Sequence, residues 1–309
     1  MKIFQKIIIV SAAVVLSAGC IKEDISKCGN VTLNFFYAGD NTDGTNVLTS
    51  HISKVDLYVF DAEGRFLTSW NYSQDELKDA SLSISRKLDP GTYTAVAVGN
   101  AFENTEVTDL DAASLDQIYI QHPQWDGRRE SVGTNDDNYI GSKTFTVPDS
   151  KEHFYETVEL KSSHIDVDII VKGLHAPVKS SACSIRIENA NGQTSFKNET
   201  NAEQKGIYYP ELEYDKGNGF YRTSGLRLFR MDKAGTLSDE LCRHELVVLS
   251  SDGSEELYRM SVYDFLLENK DKLDVTRQEA VLPIEVHFQS IGVTVTVPDW
   301  YIEDIEPEL

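Results

Sequence analysis

The sequence predicts an all-β protein of the β-sandwich class. Three observations carry that expectation: many short segments alternate apolar and polar residues, turn chemistry recurs about every eight to twelve residues, and helical periodicity is scarce. Val55, Leu57 and Val59 alternate with Lys54, Asp56 and Tyr58, and Ile165, Val167, Ile169 and Val171 repeat the pattern. At 309 residues the chain is long enough to bury two cores. No sequence repeat of fixed period is present.

The chain opens with Lys2 and Lys6 ahead of an apolar run from Ile7 to Leu16, too short and wrongly flanked for a membrane-spanning helix. Small residues, Ser17-Ala18-Gly19, then lead into Cys20. This is the pattern of a bacterial lipoprotein signal, in which residues 1–19 are removed and Cys20 is acylated on its thiol and its new amino group. Ser17 departs from it, since leucine is commonest three places before the cysteine. The alternative is a plain signal peptide that leaves Cys20 as an ordinary thiol. Lys22-Glu23-Asp24 resembles the short export signal of Bacteroidota surface lipoproteins; the alternative there is a solvated linker. Several acyl chains, at about 0.8 kcal/mol per buried methylene, hold a protein firmly at a membrane. The expected location is therefore the outer membrane, lipid-anchored and surface-exposed, with no cofactor beyond the covalent lipid on Cys20.

Cleavage before Cys20 leaves 290 of the 309 residues and, with Lys2 and Lys6 gone, takes the formal charge from −21 to −23. So acidic a chain repels nucleic acid and anionic lipid, so no nucleic-acid partner is expected. Besides Cys20 the cysteines are Cys28, Cys183 and Cys242. Their spacing matches no zinc ligand set. Cys183 and Cys242 are candidates for an intradomain disulfide worth about 4 kcal/mol in the chain-entropy model. A buried free thiol fits Cys183 equally, because it shares a strand face with Ile185 and Ile187.

Residues 20–30 form the lipidated tether. The first strand is expected from Val31 into Tyr37, followed by a turn-rich loop from Asp40 to Thr45. A half-buried strand spans Ile52–Phe60, turns at Asp61-Ala62-Glu63-Gly64 and returns over Phe66–Trp70. Ser73 with Glu76 caps a short helical turn. Leu82, Ile84 and Leu88 mark another strand. Asp89-Pro90-Gly91-Thr92 has type II turn chemistry, with proline presetting φ and glycine supplying positive φ. Strands follow at Tyr93–Val98, Tyr139–Val147 and His153–Leu160, with a short helix at Asp111–Ile118 and a polar surface loop over Gln121–Asp137.

Lys161-Ser162-Ser163 is the expected domain boundary, dividing an N-terminal sandwich (31–161) from a C-terminal one (162–309). Beyond it, Asn191-Gly192 signals a hairpin. Strands are expected at Phe220–Phe229, Glu245–Leu249, Val281–Phe288 and Val293–Val297. Ser261 and Asp264 cap a two-turn helix. Val293–Val297 alternates as a half-buried strand should, Pro298 ends it, and the tail beyond Trp300 is acidic. That strand is expected to pair within its own domain.

The chain carries no Gly-x-Ser-x-Gly elbow, His-Glu-x-x-His, phosphate loop or dinucleotide fingerprint, so no enzymatic activity is expected. Seven histidines are scattered. Asp40-Asn41-Thr42-Asp43-Gly44 lacks the alternating acidic spacing of a calcium loop, with His51 where a bidentate Glu would stand. Trp70 and Trp125 are candidates for stacking on sugars, Trp125 the better one; core anchoring is the alternative. Arg128-Arg129 is a candidate protease-sensitive point.

Several segments together resemble the anchoring subunits of Bacteroidales fimbriae, in the fimbrillin superfamily. They are Cys20-x-x-Glu23-Asp24 with Cys28, Val55–Asp61 with Gly64, Leu88–Tyr93 leading to Gly99-Asn100, the helix Ser261–Asn269, and Val295-x-Val297-x-x-Trp300. The resemblance implies two transthyretin-like sandwiches in tandem. It also implies a lipid-anchored fimbrial subunit whose partners are other fimbrillin subunits, joined by β-strand addition, and the outer membrane. Shaft subunits of that family are matured by an arginine-specific protease. No arginine occurs here between Cys20 and Arg65, and a cut at Arg65 would discard two expected strands with the lipid. The competing function is a surface glycan-binding lipoprotein of a polysaccharide-uptake system. A lipoprotein hydrolase is disfavoured by the missing motifs.

Overall fold

A computed structural model describes residues 29–77, 83–125, 132–150, 152–174 and 183–303. Its N-terminal strands are β1 (Val31–Phe36), β2 (Val55–Phe60), β3 (Phe66–Tyr72), β4 (Ser83–Arg86) and β5 (Gly91–Gly99). After them come β6 (Glu106–Val107), β7 (Tyr119–Gln121), β8 (Tyr139–Val147), β9 (Phe154–Glu159) and β10 (Lys161–Ser162). Two short helices intervene, α1 (Leu48–His51) and α2 (Gln74–Leu77). One sheet has the order β4-β1-β9 and the facing sheet β10-β8-β5-β2-β3. Val31, Leu33 and Phe35 of β1 meet Val55, Leu57 and Val59 of β2 across their shared core. This is a sandwich, built from the alternation that the sequence displays.

The second half contains β11 (His164–Lys172), β12 (Cys183–Asn191), β13 (Gln193–Ser195), β14 (Lys205–Tyr208), β15 (Leu212–Asp215) and β16 (Phe220–Thr223). It continues through β17 (Leu226–Phe229), β18 (Asp232–Lys233), β19 (Thr236–Leu237), β20 (Glu245–Ser250) and β21 (Glu256–Ser261). Helix α3 (Val262–Glu268), β22 (Val281–Gln289), β23 (Gly292–Thr296) and α4 (Asp299–Glu303) complete it. A sheet ordered β15-β16-β11-β22-β23, with β17 also on β11, faces a sheet ordered β14-β12-β20-β21. Ile165, Ile169, Ile284 and Val286 meet Ile185, Ile187, Leu246 and Val248 in their core. Ser261 caps α3 by accepting a bond from the Asp264 amide at 3.2 Å. β23 pairs antiparallel with β22 in its own sheet, from Gln289↔Gly292 to Glu285↔Thr296.

A third core cements the two halves. The outward face of β5 and β8, with Val96, Val98 and Ile140, is covered by Ile118 and Ile120 and by Phe196 and Phe229 of the second half. β13 pairs with β7 across the chain, Thr194 opposite Ile120. Strand β5 is consequently buried on both sides through Ala95-Val96-Ala97-Val98, rather than half-buried.

Several local expectations differ from the structure. Gly91 does not take positive φ; it begins β5 opposite Val147, and the Asp89 turn is held instead by the Tyr93 hydroxyl donating to the Asp89 carbonyl at 3.0 Å. Asn191-Gly192 makes no tight hairpin. The positive φ falls at Asn189, inside a register shift between Ile187 and Ala190 where β12 meets β14. The expected strand Phe220–Phe229 is two strands, because Gly225 turns with φ of 59° between them. Only Leu115–Gln117 of the expected helix 111–118 is helical, as a single 3-10 turn.

Candidate functional site

The sequence-predicted site residues Cys20, Lys22, Glu23 and Asp24, together with Cys28, lie outside the described residues. What the structure fixes is the point where the tether enters the fold. The Asn30 amide donates to the Arg86 carbonyl at 3.0 Å, and the Phe154 amide donates to the Asn30 carbonyl at 2.8 Å. The Asn30 side chain bridges both backbone groups of Leu88 at 2.8 Å each. A side chain at Gly29 would overlap Ser85 and the Arg86 backbone, so only glycine permits this close entry.

From there β1 runs up the middle of its sheet, antiparallel to β4 and parallel to β9. Val31, Leu33 and Phe35 are each at most 4% exposed. Burying such side chains is worth about 1.5–3 kcal/mol apiece, so removing β1 would open an apolar groove along the sandwich. The first arginine after Cys20, Arg65, sits in the β2–β3 turn, where its backbone and guanidinium both bind Asp61. A chain cut there would lose β1 and also β2, which lies between β3 and β5.

Beside the apolar third core, the junction carries a cluster of polar contacts. Glu279 of the second half accepts from the phenols of Tyr37 and Tyr139, the latter at 3.4 Å, and faces His51 Nδ1 at 3.3 Å. Burial first, and the Glu279 carboxylate next, push both phenols upward from the ordinary tyrosine value. Asp40 accepts from the amides of Gln278 and Glu279 and pairs with Arg277 at 3.2 Å. Its role in the turn-rich loop is thus a clasp. Arg230 is buried against Asp232 at 2.6 Å and also donates to the carbonyls of Thr276 and Arg277. A cleft of about 670 Å³ lies beside it, lined by Lys161, Asn198, Lys233, Leu241 and Gln278 among others.

Among the described residues of the expected surface loop 121–137, His122, Trp125, Val132, Asn135 and Asp136 are buried. Trp125 is 5% exposed and belongs to the second core, which makes it an anchor rather than a sugar platform. Val132 bridges to Tyr208 on β14, and Asn135 bonds the Tyr208 hydroxyl. Arg128-Arg129 lie outside the described residues. Trp70 is half-buried beneath the Arg86 guanidinium, 5.2 Å from its ring centre. Trp300 is 41% exposed beneath Arg222, and the described tryptophans form no common platform.

Among the described residues no group of three His, Cys, Asp or Glu could hold a metal. The histidines serve structure: His164 bonds the Asn138 carbonyl, His122 bonds Asn104, His153 bonds Thr32, and His244 accepts from the Asn191 amide. Burial lowers His122 and His164, and takes His244 to about 3. Cys183 and Cys242 are free thiols, both buried, so the structure contains no bridge between them. Cys242 Sγ lies 3.7 Å from Met231 Sδ. Burial pushes each thiol up to about 12, so neither is a nucleophile at neutral pH. His175 lies outside the described residues.

The fold matches solved structures along most of its length. The fimbrial anchor protein Mfa2 from Porphyromonas gingivalis superposes with a TM-score of 0.62 at 14% identity, covering 87% of this chain and 95% of that one. A Bacteroides ovatus protein provisionally classed as an adhesin gives 0.67 at 15% identity, covering 91% and 96%. A Bacteroides thetaiotaomicron protein provisionally classed as polysaccharide-binding gives 0.64 at 15% identity, covering 86% and 95%. No curated protein matches the chain in sequence. A family model does match, over residues 21–306, and on that extent the chain belongs to the fimbrillin-A associated anchor proteins Mfa1 and Mfa2.

Proposed function

We propose that this fimbrial subunit is a lipid-anchored base or terminating subunit, held at the outer membrane through acylated Cys20 and displayed outward by Lys22-Glu23-Asp24. It joins other fimbrillin subunits by β-strand addition. The observation that supports this reading is the placement of β1. The strand that directly follows the tether is locked in the middle of a sheet and contributes Val31, Leu33 and Phe35 to the core. No arginine precedes Arg65 after Cys20, so an arginine-specific cut cannot release the lipid without dismantling the sandwich. An anchor must keep its N-terminus, and this fold uses it.

The test is to replace Cys20 with Ala and follow the protein by fractionation and intact mass. The wild-type mass should exceed that of residues 20–309 by the acyl groups, and the variant should leave the outer-membrane fraction. Unchanged fractionation of the variant would refute the anchor. Replacing Lys22, Glu23 and Asp24 with Ala should keep the lipid but abolish protease access on whole cells. A glycan array with the purified chain addresses the competing function, which the buried Trp125 weakens.

A further inference from the structure

We propose that the outer edge of β23 receives an extended, uncharged segment of a neighbouring fimbrial subunit, which continues the β15-β16-β11-β22-β23 sheet; this rests on the strand-addition reading above. β23 is the last strand of that sheet, and among the described residues no strand lies along its other side. Such an edge presents a row of N–H and C=O groups to any extended chain, and proteins ordinarily blunt it with charge, proline, a bulge or a cover.

The edge strands β15, β21, β9, β4, β14 and β3 carry such devices. β15 bears Glu213 and Asp215. β21 bears Glu256 and Arg259, the latter tied to Glu188 and Glu245. β9 bears Glu156 and Glu159, and β4 bears Arg86. β14 is bridged by Val132. β3 has no charge of its own, but the Arg86 guanidinium stands over its Trp70 and Tyr72 rings at 5.2 and 5.3 Å. β23 reads Gly292-Val293-Thr294-Val295-Thr296, with no charge, no proline and an unbroken register to β22.

The segment Asp304-Ile305-Glu306-Pro307-Glu308-Leu309 is a poor cover, with three acidic side chains and a proline that cannot donate. The tether enters at the opposite end of the path. β1 leads six residues from Asn30 to the junction at Tyr37, and β11 leads nine from the junction at His164. At about 3.3 Å per residue these are roughly 20 and 30 Å. β22 runs parallel to β11, and β23 starts beyond its far end. The free edge thus lies across the junction from Asn30, where the tether enters the fold, and an outward-growing fimbria would meet it there. Val293 and Val295 pack on the core while Thr294 and Thr296 are exposed. A matching strand therefore alternates apolar residues over the core with small polar ones outside.

The test uses detergent-solubilised mature protein, with fimbriae sheared from the producing cells as the probe. The wild type should bind, and amide exchange in residues 292–296 should slow. The double variant Thr294→Lys with Thr296→Lys should bind at least tenfold more weakly with unchanged melting. Leu67→Lys with Ser69→Lys on β3 should bind as wild type. Equal binding by the β23 variant, or protection appearing on β3 instead, overturns the proposal. A pure wild-type dimer abolished by the β23 lysines assigns the edge to a second copy and overturns the choice of partner. Fimbriae that ignore the wild type refute the strand-addition reading itself, and this edge with it. If the lysine variant misfolds, the exchange experiment on wild type still decides.

Discussion

The indole of Trp125 occupies the space that a side chain at Gly192 would need. A Cβ built at Gly192, or at Gly206 on the neighbouring strand, overlaps the ring. Trp125 follows β7 in the first half, and the two glycines belong to the β12–β14 region of the second. The Asn191-Gly192 pair therefore exists for close approach rather than for a turn. One ring plugs the second core from outside its own sequence region.

Gly192→Ala is expected to destabilise by about 1–3 kcal/mol through overpacking, and Trp125→Ala by about 3–5 kcal/mol through the cavity it leaves. Because the two residues touch, the double variant should cost less than the sum of the singles. Urea unfolding of the four proteins measures this. Additive effects would mean the ring does not sit on Gly192.

Much of the fold was legible because strand alternation is local. Val55, Leu57 and Val59 face a core that their own spacing announces, and Ser261 with Asp264 marks α3 before any packing is known. The third core was not legible. Ala95-Val96-Ala97-Val98 is buried on both faces only because Phe196 and Phe229, far along the chain, cover one of them. The same holds for loop 121–137, whose polar composition conceals Trp125 until Gly192 and Gly206 are placed beneath it. Of the candidate site, the lipid signal is a sequence pattern throughout. The Glu279 clasp on Tyr37 and Tyr139 left no sequence signal, since its partners have no fixed spacing.

Acid should destabilise the protein through its buried histidines. His244 is held neutral at about 3 in the fold against 6.5 ordinarily. Below 6.5 the unfolded chain binds a proton that the folded one refuses, so stability falls as pH drops from about 6.5 toward 3. His122 and His164 are lowered too and add the same sign. His244→Leu removes the acceptor for the Asn191 amide and should cost about 1–3 kcal/mol at pH 7.5. It should nevertheless lose less stability than wild type between pH 6.5 and 4.5. Equally steep profiles for both would exclude His244 as a titrating contributor.

The two buried thiols should remain unbridged in the exported protein. Peptide mapping without reductant is expected to find Cys183 and Cys242 in separate alkylated peptides. In the native state both should react slowly with thiol reagents, since burial keeps them protonated. A crosslinked peptide containing both residues would contradict the structure.

Deleting residues 292–309 should unfold the second half, in contrast to lysines placed on the exposed face of β23. Val293 and Val295 pack against the second core, Val297 is 4% exposed, and Tyr301 closes over the same cluster. Removing them uncovers β22, whose Leu282, Ile284 and Val286 are at most 1% exposed. At about 1.5–3 kcal/mol for each large apolar side chain returned to water, the loss is several kcal/mol, comparable with the whole stability of a domain. Thermal melting and soluble yield of the truncated protein should both fall sharply. A truncated chain that melts as the wild type does and merely fails to join fimbriae would make β23 a strand given away to a neighbour, not one that stays and offers its edge.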